Sequence, residues 1–227
     1  AKSQKNNHWI SESASLFIGG NWLAKTNNKY NNLAKKCAEK GLINLEESIN
    51  LLIMEDGSFS QHSTNYHRFV LDTICQVKIW IKHLNLKPLS KNSNRKFLLA
   101  TNWLDKFLDD ISGSVPNLGN NDGTFCYQLH NLDYRDFRPT LKLSQFLSNS
   151  NSSSLLDEGP WAEPLVWLNF KQVLLQKKGI KHSEVFNNGG YAIIRPNKSR
   201  WALLRLPIYK FRPAHSDPLH FDLWSEG

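Results

Sequence analysis

The sequence predicts an α+β protein, helical to about residue 180 and then opening an antiparallel β part. Two observations carry this. Apolar residues recur at helical spacing in separate stretches of the first three quarters, and after Gly179 the period changes to that of strands. The helical stretches are joined by short loops, which suits paired helices in a bundle or toroid. Composition agrees, because 227 residues with 40% hydrophobic and 8 Trp can bury a core and are unlike a disordered chain.

Ser11 to Leu23 is apolar, and its Gly19-Gly20 pair fits close approach of a second helix. Asn28 to Lys40 reads as a polar, Lys-rich helix ended by Gly41. Asn44 would cap the next short helix, with Glu46 and Glu47 in its first turn and Leu45, Ile49, Leu52 and Ile53 on one face. The loop Glu55-Asp56-Gly57-Ser58 leads into the clearest helix, where Val70, Ile74, Val77, Ile81 and Leu84 form a continuous stripe. Another helix is expected from Arg95 to Ile111, with Phe97, Ala100, Leu104, Phe107, Leu108 and Ile111 on one side.

Gly113 to Arg138 is irregular, polar and aromatic. Leu141 to Leu147 is again helix-like, Ser148 to Ser154 reads as a flexible surface connection, and Trp161 to Leu168 as a short helix. Tyr191–Arg195 and Trp201–Arg205 flank Pro196-Asn197-Lys198-Ser199 as a hairpin, and Phe221–Trp224 alternates as a third strand. The expected division is therefore 1–180 helical and 181–227 the start of a β part.

The chain carries 28 Lys+Arg against 20 Asp+Glu, a net charge of +8, which suggests a nucleic acid or an acidic polysaccharide as partner. A nucleic acid is disfavoured, since no recognised motif or dense Lys/Arg stripe is present. No apolar run approaches the ~20 residues of a membrane span. Cys37, Cys75 and Cys126 form no CxxC pair, so small buried thiols are expected rather than a thiolate metal site. The single Met54, the start at Ala1 and the stop at Gly227 suggest a piece of a longer protein.

Four groups of residues could carry chemistry. Asn7, His8 and Glu12 open an apolar helix, either lining a cavity or serving as a cap beside a surface histidine. Gln61, His62, Asn65, Tyr66, His67 and Arg68 crowd the start of the strongest helix. A Tyr beside Arg and His can have its phenolate stabilised, as a Tyr base requires, or can simply be half-buried with a satisfied hydroxyl. His215-x-Asp217-x-x-His220 could be a metal site, a proton-transfer histidine held by Asp217, or a surface loop. Arg135 and Arg138 could clamp a carboxylate or sulfate in bidentate fashion, or pin a long loop through Arg–Asp pairs.

These segments together resemble the heparinase II/III-like polysaccharide lyases, a group that includes alginate lyases of similar build. The resemblance lies in Asn6-Asn7-His8-x-x-x-Glu12 and in Asp56-Gly57-Ser58-x-x-Gln61-x-Ser63-x-x-Tyr66-His67-Arg68. It continues in Gly119-x-Asn121-Asp122-Gly123, in Tyr134-Arg135-Asp136 and in Ala214-His215-x-Asp217-x-x-His220-x-Asp222-x-Trp224. It implies an incomplete (α/α) toroid followed by the start of an antiparallel β-sandwich, and β-elimination on a uronate-containing anionic polysaccharide. Asn7 would neutralise the uronate carboxylate beside His8, and Tyr66 would be the acid, or both base and acid. His215 would be the histidine supplied from the β part. Glu12, Gln61, Asn65, Arg68, Arg135 and Arg138 would face the substrate. Asp217 and His220 would belong to a zinc or calcium site where members of the family hold one. A periplasmic or secreted location follows from the resemblance too. Two other readings stand beside it: a non-catalytic anionic-glycan-binding module, and a metal-dependent hydrolase using His215, Asp217 and His220.

Overall fold

A computed structural model describes residues 4–26, 28–148, 159–170, 180–211, 213 and 215–227. The helices are α1 (Asn7–Thr26), α2 (Asn31–Leu52), α3 (Thr64–His83), α4 (Lys91–Phe107), α5 (Arg138–Ser148) and α6 (Glu163–Trp167). The strands β1 (Glu184–Phe186), β2 (Tyr191–Ile194), β3 (Arg200–Arg205) and β4 (Phe221–Ser225) follow. The α+β class therefore holds. The expected connection at 148–154 lies almost wholly outside the described residues, and no described helix is long and apolar enough to cross a membrane.

The first two helices pack at a distance set by glycine. A Cβ on Gly20 would lie 2.6 Å from the Ala38 nitrogen, and one on Gly41 would lie 2.4 Å from the Phe17 nitrogen. Gly41 thus does not end a helix, and Asn44 does not begin one, because α2 runs through both. A glycine pressed against a neighbouring backbone leaves the same mark in a sequence as a C-terminal glycine. Only Gly20 of the Gly19-Gly20 pair makes the close approach, since a Cβ on Gly19 would meet nothing within 4 Å. Gly19→Ala is therefore expected to stabilise the protein by about 0.5–1 kcal/mol through helix propensity alone. A urea midpoint that stays put or falls would contradict this.

Ser63 caps α3, its Oγ accepting the Tyr66 amide at 3.1 Å. The predicted stripe is buried, together with Asn65, His67, Arg68 and Asp72 on other faces, so α3 is the central helix rather than an amphipathic surface one. α4 begins earlier than expected because Ser90 caps it, its Oγ accepting the Ser93 amide at 3.2 Å. It ends at Phe107, where Leu108 turns extended. Asp109 then receives the Ile111 and Ser112 amides, which leaves Ile111 49% exposed rather than on the core face.

The four strands form one antiparallel sheet in sequence order, with the predicted β2–β3 hairpin pairing Ile193 with Leu203. β1 was not expected; three residues with one buried position give no period to read. The sheet packs on α4, sharing a core of Trp103, Phe107, Leu118, Phe186, Tyr191, Ile193, Trp201 and Leu203. Asp56 closes the same seam, its Oδ2 accepting the amides of Asn188 at 2.7 Å and Gly189 at 2.8 Å. Of the thiols expected to be buried, Cys75 is, Cys37 is half-buried and Cys126 is exposed; none forms a disulfide.

Candidate active site

Two helix starts meet at the site. Asn6 caps α1, its Oδ1 accepting the His8 amide at 3.1 Å, so Asn7 is not the cap. Asn7 is buried and donates its backbone N–H to Gln61 Oε1 at 3.1 Å, which ties α1 to the turn before α3. Ser63 Oγ donates to the Asn120 carbonyl at 2.6 Å and Thr64 Oγ1 to the Pro116 carbonyl at 2.8 Å. These bonds draw the irregular segment after α4 across the first turn of α3.

That segment delivers Asp122 to Tyr66. The phenol donates to Asp122 Oδ2 at 2.7 Å, while Oδ1 accepts from Thr124 Oγ1 at 2.6 Å and Asn65 Nδ2 at 3.4 Å. Tyr134 adds its hydroxyl, 2.7 Å from both Asn65 Oδ1 and Asn121 Oδ1. Burial, and then the Asp122 carboxylate, push the Tyr66 phenol above its usual pKa. Hydrogen bonds from Thr124 and Tyr66 hold Asp122 below its own. The proton therefore rests on Tyr66. This corrects the expectation of a phenolate favoured by Arg68 and His67: as arranged, Tyr66 is a proton donor.

Arg68 has a different task from the one expected. The residue is 1% exposed and its guanidinium carbon lies 4.3 Å from the ring centres of Phe125, Tyr134 and Phe137. It donates to the Tyr134 carbonyl at 2.5 Å and to Asn65 Oδ1 at 3.1 Å. In place of a substrate contact it pins the loop that carries Asp122. Arg138 likewise forks onto Asp136, at 2.9 Å from Nε to Oδ1 and 2.6 Å from Nη2 to Oδ2, and stacks 4.2 Å from the Trp161 ring. Arg135 is exposed and pairs with Asp133 at 3.3 Å. For Arg138 this is the Arg–Asp pairing of the loop-pinning alternative, whereas Arg135 keeps its side chain in solvent.

His67 is a core residue: Nε2 bonds the Ala100 carbonyl at 2.8 Å and the ring stacks on Trp103. His8 is exposed, and so is Glu12 one turn later. His215 and His220 are also exposed; His215 Nδ1 is 3.6 Å from Asp217 Oδ2. That oxygen already accepts from Arg205 Nη1 at 2.8 Å. A guanidinium thus stands where a metal would need the carboxylate, and no group of three or more His, Cys, Asp or Glu able to hold a metal occurs among the described residues. As arranged, Asp217 is paired with Arg205 in place of a ligand cluster.

Burial pushes His62 and His67 down to about 4 and Asp72 up to about 7. From about pH 5 to 6 the unfolded chain binds a proton on each histidine that the fold lacks, while the fold keeps one on Asp72 that the unfolded chain loses. These three groups should thus make stability rise with pH by about 1.4 kcal/mol per unit, the net value of one proton, and His130, also lowered by burial, adds in the same direction. Asp72→Asn removes the opposing proton and should roughly double that slope. Denaturant titrations at several pH values test both, and a flat or falling slope would refute the assignment.

No family model and no curated protein matches the sequence. Solved structures do. One is the crystal structure of heparinase III, with a TM-score of 0.72 at 16% identity over 98% of this chain and 33% of that one. Another is a mutant of the heparan sulfate lyase HepC from Pedobacter heparinus, with a TM-score of 0.56 at 17% identity over 95% of this chain and 30% of that one. The chain shares its fold with both lyases. It spans about a third of the length of each. The likeness to heparinases first seen in short motifs is thus found again in the course of the whole chain.

Of the residues that the sequence singles out, Gln61 accepts the Asn7 amide, and Asn65 and Tyr66 both bond Asp122. The sequence assigns no role to Asp122 or Tyr134. The Asn-Asp-Gly turn was visible as a motif, but nothing local announced that it would fold back onto a tyrosine 56 residues earlier.

Proposed function

We propose that this protein is a carbon–oxygen lyase that cleaves a uronate-containing acidic polysaccharide by β-elimination. One observation carries the reading: a buried tyrosine whose phenol donates to a carboxylate at 2.7 Å, on a fold shared with two polysaccharide lyases. The helices would belong to an incomplete (α/α) toroid and the sheet would begin a β-sandwich, with residues 181–227 as the second part.

The chemistry asks for these residue types. The C5 proton of a uronate becomes removable only if the neighbouring carboxylate is neutralised while enolate-like charge develops. Asn7, with His8 beside it, would bind that carboxylate in the manner of an oxyanion hole. Tyr66 would protonate the departing C4 oxygen, a transfer worth about 10²–10⁴-fold. With His215 as the base the elimination is anti; with Tyr66 in both roles it is syn, and the phenol would first have to pass its own proton to Asp122. Gln61 and Asn65 would support these groups, and the net charge of +8 favours an anionic chain.

The test is ultraviolet absorbance of the full-length protein with heparan sulfate, alginate and bacterial exopolysaccharides. New absorbance from an unsaturated uronate end is expected with at least one of them. Hydrolysed, saturated ends would overturn the reading, as would salt-sensitive binding without any turnover.

A further inference from the structure

We infer that His62, held by Tyr191 of the sheet, is a positioning residue that sets both halves of the candidate site. This rests on the lyase reading for its kinetic consequences but not for its geometry.

His62 adopts φ = 54°, a left-handed conformation that costs a residue with a Cβ about 1 kcal/mol or more unless its surroundings enforce it. The surroundings do enforce it. Its amide donates to the Phe59 carbonyl at 2.9 Å, and its Nδ1 lies 3.1 Å from the Tyr191 hydroxyl on β2. Tyr209 meets the ring edge-on at 5.3 Å between centroids. Behind it, the carbonyl of His62 faces Gly119, where a Cβ would lie 2.3 Å from that oxygen. Gly119 itself has φ = 66°, so only glycine suits both the turn and the close approach.

The two neighbours of this residue reach the two halves of the site. On one side Gln61 accepts the Asn7 amide. On the other, Ser63 caps α3 and bonds the Asn120 carbonyl, two residues before the carboxylate that holds Tyr66. A change in the backbone at His62 therefore moves the carboxylate-binding and the proton-donating groups relative to each other. The imidazole touches no reacting group in this arrangement; it acts through Gln61 and Ser63.

The test is Tyr191→Phe, which removes one oxygen and leaves the ring in its core, together with His62→Asn, which tolerates the left-handed backbone but lacks the ring. The first readout is hydrogen exchange at the Asn7 amide. Both variants should exchange it faster, with melting temperatures close to the parent's. The second readout is kinetic: kcat should fall between about 10- and 10²-fold while KM changes little, as misplacement of reacting groups predicts. Unchanged Asn7 exchange in both variants would overturn the inference, as would a kcat loss matched by the unfolded fraction. Faster exchange in a protein whose parent shows no lyase activity would uphold the linkage and count against the lyase reading alone.

Discussion

Tyr66→Phe is expected to lower kcat on the susceptible polysaccharide by about 10²–10⁴-fold with little change in KM. The reason is specific to one atom. The ring is 8% exposed, belongs to the main helical core and meets Phe69 edge-on, so phenylalanine fills the same space. Asp122 keeps hydrogen bonds from Thr124 and Asn65 when the phenol is gone. What disappears is the proton that the leaving oxygen would take. Asp122→Asn adds a sign test. With the carboxylate removed, one of the two main influences raising the Tyr66 pKa is lost, so the phenol should ionise at lower pH. The alkaline limb of the rate profile should move down accordingly. Full kcat in Tyr66→Phe would remove Tyr66 from the mechanism, and an alkaline limb that stays fixed would remove Asp122.

Gly41→Ala is expected to destabilise the protein by about 2 kcal/mol or more, although alanine is the better helix former by about 1 kcal/mol. The added carbon would sit 2.4 Å from the Phe17 nitrogen, 2.7 Å from its Cα and 2.9 Å from the Leu16 carbonyl carbon. All three are backbone atoms, so no rotamer can yield; α1 and α2 must part. Phe17, Leu45 and Ile49 belong to the core that this separation would loosen. Chemical denaturation gives the answer directly, and a stability equal to the parent's would mean that the two helices are not seated so tightly.

What the sequence could tell depended on how local the cause was. α3 was legible because Val70, Ile74, Val77 and Ile81 recur at helical spacing and face one core, and the hairpin because two alternating runs flank a turn. Gly41 was misread because a glycine needed by a neighbour and a glycine needed by a helix end look the same until the neighbour is known. Arg68 next to Tyr66 suggested an electrostatic partner. Yet side chains two apart on a helix point in different directions, and three aromatic rings from distant positions enclose the guanidinium. Gln61, Asn65 and Tyr66 could be grouped from the sequence because they lie close together along the chain. Asp122 completes their site only through the bonds that Ser63 and Thr64 make to residues 116–120.

The core shared by α4 and the sheet bears on how this chain can be divided. Trp103 and Phe107 stack on each other at 3.7 Å between centroids and meet Phe186 and Tyr191 across the seam. The change from helix to strand near residue 180 therefore falls beside a core that both kinds of element share. A gene cut there would yield a helical product with two large aromatic side chains turned to water and Asp56 stripped of the amides it holds. Such a product would be prone to aggregate, so expression boundaries belong outside this seam and not at the point where the hydrophobic period changes.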